Sequence, residues 1–164
     1  MSEQSKSDAG TGKHPKIETI EDALTFRIAR FAAINAYDGG HLFRAAFQLT
    51  MNEVRLLGLI GAHQPVTFAW IAKRLYMDKG QLSRLVRAIQ ERGLIGSAPN
   101  AEDARQLNLS LTEAGAALHE RLINTFQSAN EEVVDPLSER EVATFLDLMD
   151  RLLEHNERLV RRHF

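Results

Sequence analysis

One stretch, Thr67 to Thr112 (TFAWIAKRLYMDKGQLSRLVRAIQERGLIGSAPNAEDARQLNLSLT), leaves few folds open to this chain. Thr67 is placed to N-cap a short helix whose apolar positions Phe68, Ile71, Ala72 and Leu75 recur at helical spacing. Asp78 is placed to cap a second helix, with Gln81 three residues on, as in a capping box. That helix turns Leu82, Leu85, Val86 and Ile89 inward and stops at Gly93, the usual residue just past a helix end. Its other face carries Lys79, Gln81, Ser83, Arg84 and Arg87. Two helices across a tight turn, the second apolar behind and basic in front, predict a helix-turn-helix.

After Gly93 the period changes. Leu94 and Ile95 open a strand. From Gln106 to Leu111, apolar Leu107, Leu109 and Leu111 alternate with polar Asn108 and Ser110, the pattern of a half-buried strand. The polar run from Pro99 to Arg105 between them is a turn-forming loop, so the pair is a β-hairpin, or wing. With D-K-G-Q-L-S-R (78–84), E-R-G-L-I (91–95), D-A-R (103–105) and L-T-E-A-G (111–115) in order and without gaps, the chain resembles the MarR family of winged-helix transcriptional regulators. Its helix order follows that family over roughly residues 18–163.

The resemblance implies functions that the spacing alone does not. Arg105 would enter the minor groove, where narrow A·T-rich segments attract arginine, and Asp103 would brace the wing tip. Members pair their N- and C-terminal helices into a homodimer, which sets two recognition helices about 34–36 Å apart on a near-palindromic operator. Many bind small aromatic or phenolic acids between the dimerisation helices and the DNA-binding lobe. The chain also departs from the pattern. Ser97 stands where members usually carry a basic residue, and the middle wing position is Ala104, so fewer phosphate contacts and a shallower salt dependence are expected.

Composition bears on the same question. The net charge of −2 argues at first against a nucleic-acid partner. Yet residues 66–112 hold seven basic and four acidic residues, +3, which leaves −5 for the rest, so positive charge is concentrated at the motif. There is no cysteine, which excludes structural disulfides and thiol redox sensing by this chain. The six histidines include no pair at the short spacing of common zinc motifs, and no metal or cofactor is predicted. No nucleophile elbow, phosphate loop or zinc-hydrolase motif occurs, so catalysis is not expected. The N-terminal stretch lacks the apolar centre of a secretory signal, and no apolar run is long enough to span a bilayer, so the expected location is the cytoplasm.

Four segments are expected: a disordered tail over 1–17, an N-terminal dimerisation helix over 18–49, the winged helix-turn-helix over 50–112, and C-terminal dimerisation helices over 113–164. Gly39-Gly40 predicts a kink or break in the first helix, because each glycine costs about 1 kcal/mol there relative to alanine. Thr50 to Glu53 reads as a capping box opening a second helix, and Val66 as a short third strand beside the wing. Thr112 caps a long helix that ends at Asp135-Pro136, and Ser138 with Glu141 opens the last one. The last carries Phe145, Leu146, Met149, Leu152, Leu153, Leu159 and Val160, more large apolar residues than one covering contact needs.

The fold class is therefore mainly α: six helices, a small antiparallel wing, and dimerisation through the terminal helices. A basic helix face by itself is an ordinary solvated surface; followed by the wing signature it becomes a DNA-reading one. Arg84 offers a guanidinium fork for guanine, Gln81 an amide for adenine, Ser83 a hydroxyl for a base edge or phosphate. Lys79 reaches phosphate near the helix start, and Arg87 the backbone. For an effector, the candidates are Arg55, flanked by Val54, Leu56 and Leu57 and read as part-buried, and His41. The bland readings are an Arg55 paired with a nearby acid and a surface His41. The predicted function is a DNA-binding regulator, a repressor released by an aromatic carboxylate. Its rivals are a ligand-independent architectural DNA binder and a winged-helix protein–protein module, to which the −2 charge and Ser97 give weight.

Overall fold

The computed structural model describes residues 16–101, 103 and 105–160. The tail expected over 1–17 lies outside the described residues as far as residue 15, and so does Ala104. The backbone divides into two compact units, residues 1–52 and 53–164.

In the first unit a 3-10 turn, Ile20–Asp22, leads into α1, Leu24–Phe47. The Asp22 carboxylate accepts hydrogen bonds from the Thr19 N–H (2.8 Å), the Glu18 N–H (3.0 Å) and the Thr19 hydroxyl (3.1 Å). The backbone N–H bonds chiefly hold its carboxyl below the ordinary 3.8. The break expected at Gly39-Gly40 does not occur, and α1 runs through both glycines. A Cβ on Gly39 would lie 3.6 Å from Met51 Sδ, and one on Gly40 3.9 Å from Met51 Cγ. The two glycines thus give Met51 a close seat, and their cost of about 1 kcal/mol each is too small to interrupt a helix of this length. Gln48 ends α1 at φ 55°.

The second unit takes in all but the first two residues of α2, Met51–His63, which buries Val54, Leu56, Leu57 and Ile60. After it come β1, Val66–Thr67; α3, Phe68–Leu75; α4, Lys79–Glu91; β2, Ile95–Pro99; and β3, Leu107–Leu111. Two long helices follow, α5, Glu113–Val134, and α6, Glu139–Val160. The sheet is antiparallel in the order β1-β3-β2, so the short strand expected at Val66 is present and flanks the wing. Ile71 from α3, Leu82, Val86 and Ile89 from α4, Leu94, and Ile95 and Leu109 from the sheet are all buried. Each such side chain stabilises the fold by about 1.5–3 kcal/mol. Leu107 departs from the alternation read for β3, being 51% exposed near the free end of the wing.

Glycine is required where α5 begins. A Cβ on Gly115 would run into the Leu94 carbonyl oxygen, which already accepts from the Thr112 N–H at 3.1 Å. The Thr112 hydroxyl caps α5 through the Gly115 N–H (3.0 Å) and donates to the Gly93 carbonyl (2.7 Å). The L-T-E-A-G motif thereby stitches α5 to the root of the wing. In α6, Ser138 and Glu141 make the expected capping box, at 2.9 Å and 3.4 Å. No described residue of α6 is buried within the chain, although Phe145, Leu146, Leu148 and Leu153 lie along it. An Arg74–Glu157 ion pair, 3.9 Å, ties α6 to α3.

Candidate nucleic-acid interface

The front of α4 is set by its back. Leu82, Val86 and Ile89 are buried, so the helical period turns Lys79, Gln81, Ser83, Arg84 and Arg87 to solvent, and all five are exposed. The start of the helix is fixed by Asp78, whose carboxylate accepts the Gln81 N–H at 2.9 Å. That cap uses the Gln81 backbone and leaves its amide side chain to the exterior. The start of α3 is fixed in the same way, by Thr67 accepting from the Trp70 N–H at 3.2 Å. Between the two helices Tyr76 stands at φ 50°, a left-handed conformation usually left to glycine, and the residue is 69% exposed.

The five outward side chains are not equivalent. Arg87 donates from Nε to Glu91 at 2.9 Å, a surface pair of the kind worth about 0.3–0.5 kcal/mol, so a phosphate would compete with that carboxylate. Lys79 and Arg84 form no ion pair among the described residues. The Arg84 guanidinium lies over Gly80, its Nη1 4.0 Å from where a Cβ would stand there. A glycine at that position leaves the arginine unobstructed, one turn in from the helix start.

The wing adds a second cationic point. Ser97 is exposed on β2 opposite Leu109, and Ala98 pairs with Asn108. At the tip, the Asp103 carboxylate accepts the Arg105 N–H (3.0 Å) and the Gln106 side-chain amide (3.1 Å). These bonds, the Arg105 N–H foremost, hold the Asp103 carboxyl below its ordinary 3.8. The Arg105 side chain is exposed and forms no ion pair among the described residues. Asn100 joins the same network. The sequence marks it only as a turn former, whereas its bonds depend on which residue faces it across the hairpin. Tyr76 was equally silent, although the absence of glycine between the two helices was a signal that a side chain must occupy that turn.

The effector candidates fall elsewhere. Arg55 is exposed on α2 and not part-buried as read: the apolar residues beside it in sequence point to the other side of the helix, where Val54, Leu56 and Leu57 form core. His41 is exposed on α1, its ring edge-on to Tyr37 at 4.8 Å. His41 belongs to the first unit and Arg55 to the second. Trp70, half-buried, packs against the His63 ring at 5.0 Å.

The chain is similar to known proteins in sequence and in fold. Residues 47–106 match the sequence model described as the MarR family. Over 76 residues the chain is 32% identical to the organic hydroperoxide resistance transcriptional regulator of Bacillus subtilis; the match takes in 46% of this chain and about half, 52%, of that protein. An HTH-type transcriptional regulator of Bacillus cereus is 28% identical over 143 residues, 85% of this chain and 93% of the relative. Among solved structures, the S. aureus MepR–DNA complex superposes with a TM-score of 0.70 at 24% identity, over 81% of this chain and 98% of that one. The PcaV regulator of Streptomyces coelicolor, solved with its natural ligand, gives 0.68 at 20% identity, over 85% and 98%. At such identities the structural likeness is one of fold. The relatives by sequence are named as transcriptional regulators, not enzymes.

Proposed function

The chain belongs to the MarR family of winged-helix, DNA-binding transcriptional regulators, and from that premise we propose that it acts in the cytoplasm as a homodimeric repressor on a near-palindromic operator. The observation that carries this reading is the division of α4 into a buried apolar back and an exposed front of Lys79, Gln81, Ser83, Arg84 and Arg87. In the proposed complex α4 enters the major groove. Arg84 takes guanine O6 and N7, Gln81 an adenine edge, Ser83 a base edge or phosphate, and Lys79 and Arg87 take phosphates. Arg105 reaches the flanking minor groove from the wing, and Asp103 keeps that wing tip folded.

Two copies would associate through residues 18–49 and 113–164, where described apolar side chains such as Phe31, Ile34, Leu146 and Leu153 stay exposed within one chain. The MepR structure, a DNA complex of similar fold, supports the DNA-bound geometry for this chain. Salt-titrated binding to DNA upstream of the protein's own gene tests the proposal. Log K should fall linearly with log salt by about 0.9 per phosphate contact, with specific binding well above that to scrambled duplex. Equal affinity for both duplexes would favour an architectural binder. No binding at low salt would favour a protein–protein module.

A carboxylate effector is the finer reading, and the ligand-bound PcaV structure supports it. Arg55 is an exposed cation with no ion pair among the described residues, and His41 is an exposed hydrogen-bonding ring. In this reading an aromatic acid taken up by either residue favours a dimer whose helices no longer match the groove spacing. Coupling of about 1–3 kcal/mol is typical, and DNA must weaken acid binding by the same factor. Calorimetry of the parent, Arg55→Ala and His41→Ala proteins against a panel of aromatic acids decides it. No heat from any acid, or the full parental response in both variants, discards these residues.

A further inference from the structure

A side chain on a loop binds DNA only as well as the loop is ordered beforehand. The described residues of the tip between Pro99 and Leu107 lie beyond the last strand pair, and they are held by hydrogen bonds of their own. Asn100 is their hub. Its Nδ2 donates to Asn108 Oδ1 at 2.9 Å, its Oδ1 accepts the Asp103 N–H at 3.1 Å, and its backbone N–H donates to the Gln106 carbonyl at 2.9 Å. Asp103 passes the constraint on, accepting the Arg105 N–H at 3.0 Å and the Gln106 amide at 3.1 Å. The other end is anchored in the sheet. Asn108 lies on the central strand β3, opposite Ala98 of β2 on one side and Thr67 of β1 on the other.

We propose that Asn100 is a positioning residue for DNA binding, holding the wing tip in its binding shape through Asn108 and Asp103 so that Arg105 is presented before DNA arrives. The inference rests on the reading of Arg105 as a DNA contact. The chemistry of position 100 is specific, because one planar group must donate to Asn108 and accept from Asp103 at once. Aspartate lacks the donor and places a second negative charge beside Asp103, alanine supplies neither group, and glutamine is one methylene too long. Without the hub, the tip would have to be ordered at the moment of binding, and that entropy is subtracted from affinity.

A double-mutant cycle tests the proposal, using a duplex selected from random-sequence DNA by the parent protein. Asn100→Ala should weaken binding about tenfold in the parent, and by less than about twofold in an Arg105→Ala background, since coupled residues are not additive. The Arg105 amide should exchange faster with solvent in Asn100→Ala than in the parent. Asn108→Ala, which cuts the anchor outside the loop, should behave alike and carries the test should Asn100→Ala fail to fold. Equal losses in both backgrounds, or none in either, would overturn the positioning role. If Arg105→Ala alone binds like the parent, it is the wing reading that fails; if Arg105→Ala weakens binding and Asn100→Ala does not, only the present inference falls.

Discussion

The imidazole of His119 fills the space that a side chain on Gly61 would need. This is where α5 meets α2, and the His119 Nε2 is closed off from solvent there with no hydrogen-bond partner among the described residues. Putting alanine for glycine inside a helix ordinarily gains about 1 kcal/mol. Here a Cβ would strike the ring itself, including its root at Cγ, and not the tip of a pliant chain. Overpacking costs of about 1–3 kcal/mol outweigh the propensity gain. Gly61→Ala should therefore destabilise the protein in urea unfolding, and His119→Ala in the same chain should recover part of the loss. A stabilised Gly61→Ala would show that the ring moves aside freely.

The wing tip should respond to acid, with a sign fixed by Asp103. Hydrogen bonds from the Arg105 N–H and then the Gln106 amide depress its carboxyl below 3.8. A depressed folded-state value means the contribution to order is complete above the ordinary value and is lost as pH falls through the folded one. Amide resonances of Arg105 and Gln106 should hold their positions down to about pH 4 and shift below it. Asp103→Asn keeps an acceptor and should abolish that shift. The same shift in the variant would assign it to another group.

How far the sequence could be read divides along the same physical lines. The caps at Thr67, Asp78, Thr112 and Ser138 were legible because each bonds a backbone group three residues away. The exposed face of α4 was legible because a 3.6-residue period fixes both sides of a helix at once. Gly39-Gly40 misled, since what holds those glycines in α1 is Met51, beyond the end of that helix. Arg55 misled because apolar neighbours in sequence do not bury a residue that faces the opposite way. Asn100 was silent because its partner Asn108 is set by strand register, which a hairpin loop of unknown length leaves open.

Base reading should separate the two arginines of α4. Arg84 is unpaired among the described residues, and Arg84→Ala should cost about 1–3 kcal/mol on the selected operator and relax preference at one position per half-site. Arg87 already engages Glu91, so Arg87→Ala should cost less. Glu91→Gln removes a competing carboxylate and should tighten binding at low salt for specific and scrambled duplexes alike. Competition binding at matched ionic strength gives all three values. An Arg84→Ala protein that binds like the parent would remove Arg84 from the reading set.

The exposed apolar side chains of α6 make the assembly prediction specific. Leu146 is 57% exposed and Leu153 55%, so charging them does little to one chain by itself. Leu152, half-buried within the chain, is the wrong target: a charge there would lose its hydration inside the monomer and confound folding with association. Leu146→Glu with Leu153→Glu should leave the helical content and melting of a monomer nearly intact while abolishing the proposed dimer in sedimentation. Each buried leucine contributes about 1.5–3 kcal/mol, and two-fold symmetry counts every substitution twice across the interface. DNA binding should fall with the dimer, because one recognition helix cannot hold both half-sites. A protein that stays dimeric with both charges in place would move the interface off this face of α6. One that sediments as a monomer and still binds the full operator with parental affinity would sever DNA reading from assembly.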